Sequence, residues 1–116
     1  MVISRLISDP DVVLGISTLT IYELSTRLRQ SGIDAQTIQE TVRTYAGTVD
    51  FVVPVTDEIA AKGAELRAIA SNRIAAVDVL IAATAANAGA VLVHRDPHFA
   101  SLPSGSPVQV VLPDKK

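Results

Sequence analysis

Three carboxylates in this 116-residue chain, Glu23, Asp78 and Asp96, have the type and placement that could do chemistry. Asp78 is the single charge in the apolar run 75–88, where an uncompensated carboxylate costs on the order of several kcal/mol of desolvation. It needs a partner. Asp96 closely follows the apolar run 91–93, and Pro97 behind it keeps it out of a helix. Glu23 is expected in the first turn of the helix that follows the run 12–17. Carboxylates gathered at one sheet edge repel each other unless a cation sits among them. An all-oxygen donor set without cysteine suits Mg2+ or Mn2+. Such an ion activates water and stabilises charge on a phosphoryl group in transfer, so hydrolysis of a phosphodiester is the chemistry implied.

Each acid taken alone has a plainer reading. Thr20 and Glu23 fit a capping box, in which the glutamate only returns to the threonine amide. Asp78 fits the N-cap of a helix beginning at Val79, and Asp96-Pro97 is an ordinary turn starter. His94 and His98 flank Asp96, but a His-x-x-x-His spacing in a loop lacks the helix face that makes such pairs zinc sites. They read as substrate-side or structural. Arg73 and Arg95 can hold phosphates or be simply solvated.

The elements that must position these acids follow from pattern. The turn-like Asp9-Pro10-Asp11 leads into 12–17 (VVLGIS), a buried strand. A helix follows with Ile21, Leu24 and Leu28 at helical spacing, ending near Arg29 at a Ser31-Gly32 stop. The next helix, capped by Asp34 or Thr37, puts Ile38, Val42 and Tyr45 on one face. Residues 49–55 read as a strand. From Thr56 a helix carries Asp57 and Glu58 at its positive end and Ile59, Leu66 and Ile69 on its apolar face, until Ser71-Asn72-Arg73 breaks it. Residues 75–88 form a helix apolar almost all round, closed by Gly89 and deeply buried. Strands at 91–93 and 108–112 complete the chain, joined by a loop at 94–99 and a Pro/Gly/Ser connection at 103–107.

Apolar strands that alternate with helices argue for an α/β fold with a parallel sheet covered on both faces. Ligands in such sheets sit beyond the carboxyl ends of the strands. The chain is the size of one domain, taken as 1–116, with no repeat or low-complexity segment.

Composition limits the function classes. The chain has no cysteine, hence neither disulfides nor a thiolate zinc site. The long uncharged stretch 79–94 is interrupted by Thr84, Asn87 and Gly89 and does not suit a membrane span. Residues 1–8 contain Arg5 and do not resemble a secretory signal, so a cytoplasmic address is expected. A net charge of −2 does not advertise a nucleic-acid binder, but an acid cluster neutralised by a metal would mask one.

Three segments carry a family resemblance: ISTLTIYEL (16–24), RIAAVDVLIAATA (73–85) and VLVHRDPHFASLP (91–103). In this order and at these separations they resemble the PIN-domain nucleases, especially the toxins of VapBC-type toxin–antitoxin pairs. The middle segment is the most specific. The resemblance implies an α/β/α sandwich on a central parallel sheet, a dimer, and an acidic Mg2+ or Mn2+ site that cleaves single-stranded RNA. It implies a small antitoxin partner that places a basic side chain near the acids. Glu23 corresponds to the second family acid, Asp78 to the third and Asp96 to the fourth, with Thr18 and Thr20 in the small polar positions before Glu23. His98 stands where many relatives carry a further aspartate.

The chain departs from the family pattern at its start. Only 22 residues precede Glu23, so the strand that bears the first acid is expected to be missing, and Asp9 and Asp11, which precede a strand, do not replace it. A sheet shortened in this way leaves unpaired edges and an apolar slot, and strong self-association, as a homodimer or by strand swapping, is expected. Two alternatives to the ribonuclease reading stand beside it. One is a PIN-like binding module with an incomplete metal site; the other is an unrelated α/β domain whose acids are only caps and turn formers.

Overall fold

In a computed structural model, residues 9–94, 97–103, 105 and 107–112 are described. The chain forms two compact units, Met1–Pro54 and Val55–Lys116. The α/β class read from the sequence is found in both.

The described part of the first unit begins with the turn at Asp9, whose side chain accepts from the Asp11 amide (2.9 Å) and whose carbonyl accepts from Val12 (3.1 Å). The strand β1, Gly15–Ser17, is shorter than the expected 12–17. Asp50 explains the late start. Its carboxylate accepts from the Leu14 amide (2.8 Å) and its own amide donates to the Leu14 carbonyl (2.8 Å), so the ladder proper begins one residue on. From there β1 pairs in parallel with β2, Phe51–Val53, in the register Gly15 with Phe51 and Ser17 with Val53. Gly15 has a specific reason to lack a side chain: a Cβ there would lie 2.5 Å from the Phe51 ring.

Helix α1, Thr18–Gln30, is capped by Ser17, whose hydroxyl accepts from the Leu19 amide at 3.0 Å. It stops at Gly32, which takes φ +84. There Gly32 donates to Arg29 and Ile33 donates to Leu28, the paired bonds of a Schellman end. Asp34 then caps α2, Ala35–Ala46, accepting from the Thr37 amide (3.1 Å) and hydroxyl (2.6 Å). Of the apolar face expected on α2, Ile38 is buried and Val42 half-buried, but Tyr45 is exposed.

The second unit is built on a helix pair. Helix α3, Asp57–Ile69, is capped by Thr56, whose hydroxyl accepts from the Ile59 amide at 3.2 Å; Asp57 and Glu58 lie in its first turn as expected. It packs against α4, Ala76–Asn87, through Ile59, Gly63 and Leu66 on one side and Val79, Ala82 and Ala83 on the other. Ile69 does not join them. In the last turn of α3 it is 56% exposed, because the apolar stripe has rotated away from α4 by that point. Helix α4 ends in a second Schellman arrangement at Gly89 (φ +64), with Gly89 donating to Ala86 and Ala90 to Ala85.

Strands β3, Val91–His94, and β4, Val108–Val111, pair in parallel, with Leu92 beside Gln109 and His94 beside Val111. The connection between them includes a short 3-10 helix, Pro97–Ser101, where a loop was expected. Helix α4 contacts β3, and Leu92 is buried. The opposite face presents Val91, Val93, Val108 and Val110 exposed, so among the described residues this pair is covered on one face and not on two. Among the described residues the strands form two parallel pairs.

Candidate metal centre

Asp78 is the best defined of the three acids. The start of α4 at Ala76 makes Asp78 the third helical residue and rules out the alternative in which it caps a helix beginning at Val79. The N-cap is Ala75, which offers no side-chain acceptor. The carboxylate is thus the one acidic charge in the first turn, half-buried, at the end of the helix where the dipole favours an anion. It engages neighbouring groups and is not an isolated charge.

Glu23 lies in a different place from the one expected. Helix α1 starts at Thr18, so Glu23 is its sixth residue and not part of the first turn, which contains no acid. The capping box with Thr20 does not form, because Ser17 holds the cap three residues earlier. Removal of that plain role leaves Glu23 as a half-buried acid on the body of α1, also engaged with neighbours. Thr18 is exposed at the first helical position and Thr20 half-buried at the third.

Asp96 and Arg95 lie outside the described residues. Glu23 belongs to the first unit and Asp78 to the second. Among the described residues no group of three or more His, Asp or Glu side chains stands close enough to hold a metal ion. The donor chemistry of the chain nonetheless fits a hard divalent ion, since the three acids offer oxygen alone and no thiolate competes.

Around the segment that carries Asp96 the structure shows a polar network that the sequence reading missed. His94, the last residue of β3, places Nε2 2.7 Å from Gln109 Oε1, and Gln109 donates from Nε2 to the Phe99 carbonyl at 3.1 Å. A carbonyl only accepts, so the Gln109 amide is oriented, and the neutral His94 ring carries its proton on Nε2. Among the described residues His94 Nδ1 is buried with no hydrogen-bond partner, and the ring packs on Phe99 with centroids 4.6 Å apart. His94 is therefore structural in this arrangement. The available signal was Gln109 itself, a lone amide in the apolar strand VQVV. Arg73, the other candidate phosphate contact, is exposed ahead of α4. His98 falls in the 3-10 helix.

A groove of about 670 Å3 lies between α1 and α2 and is lined by Arg29, Gln36, Ile38 and Arg43 among others; none of the three acids lines it. Among the described residues no helix is long and apolar enough to cross a membrane.

The fold has close counterparts among solved structures. The chain is similar to one in the crystal structure of VapBC2 from Rickettsia felis bound to a DNA fragment from their promoter. The TM-score is 0.78 at 18% identity, over 96% of this chain and 82% of that one. It is also similar to one in the structure of FitAB bound to an IR36 DNA fragment, with a TM-score of 0.60 at 26% identity, over 86% of this chain and 76% of that one. No curated protein matches it in sequence. The model of the PIN domain matches residues 1–104, a span that contains all three acid-bearing segments, and the chain belongs to the PIN domain family.

Proposed function

We propose that this chain is a Mg2+- or Mn2+-dependent ribonuclease, a VapC-type toxin of a toxin–antitoxin pair, that hydrolyses phosphodiester bonds of single-stranded RNA. The observation that carries the reading is Asp78: a half-buried carboxylate at the third position of an apolar helix with no capping side chain, inside a span that matches the PIN domain. A carboxylate placed there is partly withdrawn from water, and an ion held against it would compensate that cost.

Glu23, Asp78 and Asp96 would hold the ion, directly or through water. When bound, the ion supplies Lewis acidity, which activates water and stabilises charge on the phosphoryl oxygens. The chain's own part is to bind and orient. Helix α4 fixes Asp78 through its packing on α3, and Arg73 is suited to a phosphate of the RNA. The likeness to a VapBC2 chain supports a small antitoxin as partner; in this proposal it binds near the acids with a basic side chain. The exposed valine face of β3 and β4 supports self-association, and the whole chain 1–116 is taken to work as one cytoplasmic domain.

The test is cleavage of single-stranded RNA by the purified chain with Mn2+, with EDTA, and with Asp78→Asn. The reading expects cleavage that EDTA abolishes and that Asp78→Asn lowers at least about 100-fold with the fold retained. Cleavage unchanged in Asp78→Asn would refute it. Ion binding without cleavage would point instead to a binding module.

A further inference from the structure

Helix α4 begins without the device that starts the other three. Ser17, Asp34 and Thr56 each cap a helix with a side-chain oxygen, while Ala75 has none to offer. The first amides of an uncapped helix lack partners, and its first turn frays easily. In this chain the start is fixed from outside. Arg67, in the last turn of α3, donates from Nη2 to the Ile74 carbonyl at 2.8 Å, one residue ahead of the N-cap. At the other end of the connection Ser71 donates to the Ser101 carbonyl from its amide (2.8 Å) and its hydroxyl (3.2 Å). Ile74 itself is buried, so its carbonyl is held on one side by packing and on the other by a charged donor, the stronger class of hydrogen bond.

We propose that Arg67 is a positioning residue for the metal centre: by fixing the Ile74 carbonyl it sets where α4 starts, and so where Asp78 presents its carboxylate. Ile74 lies two residues ahead of the first helical residue and four ahead of Asp78, so a shift at Ile74 reaches Asp78 through Ala75 and the first turn of the helix. Metal ligands tolerate displacements of only about 0.5 Å before affinity suffers. Arg67 acts through the backbone and is not itself a ligand. The proposal rests on the reading of Asp78 as an ion-holding acid.

The experiment is calorimetric Mn2+ titration together with thermal melting of the full chain, for wild type, Arg67→Leu, Arg67→Lys, Ile59→Val and Asp78→Asn. Arg67→Leu is expected to weaken Mn2+ binding about tenfold or more, the loss typical of a supporting residue behind a metal ligand. Arg67→Lys, which keeps a cationic donor, is expected to recover part of it. Ile59→Val trims the buried face of the same helix and should lower the melting temperature with Mn2+ affinity unchanged, which separates positioning from stability. Wild-type affinity in Arg67→Leu would overturn the proposal. Should that variant not fold, Arg67→Gln, with a shorter neutral donor, is read in the same way. The two failures are distinct: wild-type affinity in Asp78→Asn removes the ion-holding role and the positioning role with it, whereas loss in Asp78→Asn alone removes only the positioning role.

Discussion

The Cβ that Gly63 lacks would lie 2.9 Å from Leu80 Cδ2, so the missing side chain on α3 leaves the room that the Leu80 side chain of α4 now fills. The neighbour is the far end of a flexible side chain, and Leu80 is only half-buried, so it can turn aside for one methyl. Alanine also gains about 1 kcal/mol over glycine in a helix interior. Gly63→Ala is therefore expected to be near neutral. Gly63→Val reaches further, toward Val79 and Ala83, and should destabilise by about 1–3 kcal/mol through overpacking. Urea denaturation of the two variants checks the contrast; equal midpoints would show that the helix contact is looser than described.

Asp34 gives the chain a small acid sensitivity. The Thr37 hydroxyl, and after it the Thr37 amide, hold its carboxyl below the ordinary value of 3.8. Because the folded-state value is the lower one, its contribution is fully present above the unfolded value and is lost as pH falls through the lowered folded value. Asp34→Asn keeps a capping oxygen and loses the titration. Denaturation midpoints of wild type and Asp34→Asn should therefore converge as pH drops below about 4, with wild type losing more. A constant difference across that range would contradict the assignment.

Gln109→Leu keeps the approximate volume of the side chain but removes the acceptor for His94 Nε2–H and the donor to the Phe99 carbonyl. Leaving such groups unpaired costs about 1–3 kcal/mol. The urea midpoint should fall accordingly. An unchanged midpoint would mean that water replaces both bonds.

Self-association is expected from the exposed valines of β3 and β4. Light scattering should give a mass above that of one chain, and Val91→Lys combined with Val108→Lys should shift it toward the monomer. A wild-type monomer at concentrations of about 100 µM would contradict it, since that excludes all but the weakest association.

Much of this was legible in the sequence because local signals and packing agree. The 75–88 run became α4 nearly as read, since alanine favours the helix and Gly89 supplies the left-handed residue that ends it. Asp34 was readable as a cap for the same reason. The position of Glu23 was not. Ser17 and Thr20 are both good caps, and the choice of Ser17 follows from where β1 stops pairing with Val53, a contact 36 residues away in sequence. Ile69 looked like core by spacing, but which turn of α3 meets α4 is a tertiary matter. Gln109 hid in an apolar strand because its role depends on His94 and Phe99, which sequence pattern does not bring beside it.

The most direct test of the central claim is calorimetric titration of Mn2+ into the wild-type chain and into Asp78→Asn. The ribonuclease reading predicts saturable binding in wild type that is lost in Asp78→Asn while the melting curve is retained. A folded wild type that binds no Mn2+, or an Asp78→Asn that binds it equally well, would contradict the claim that these acids form a metal centre.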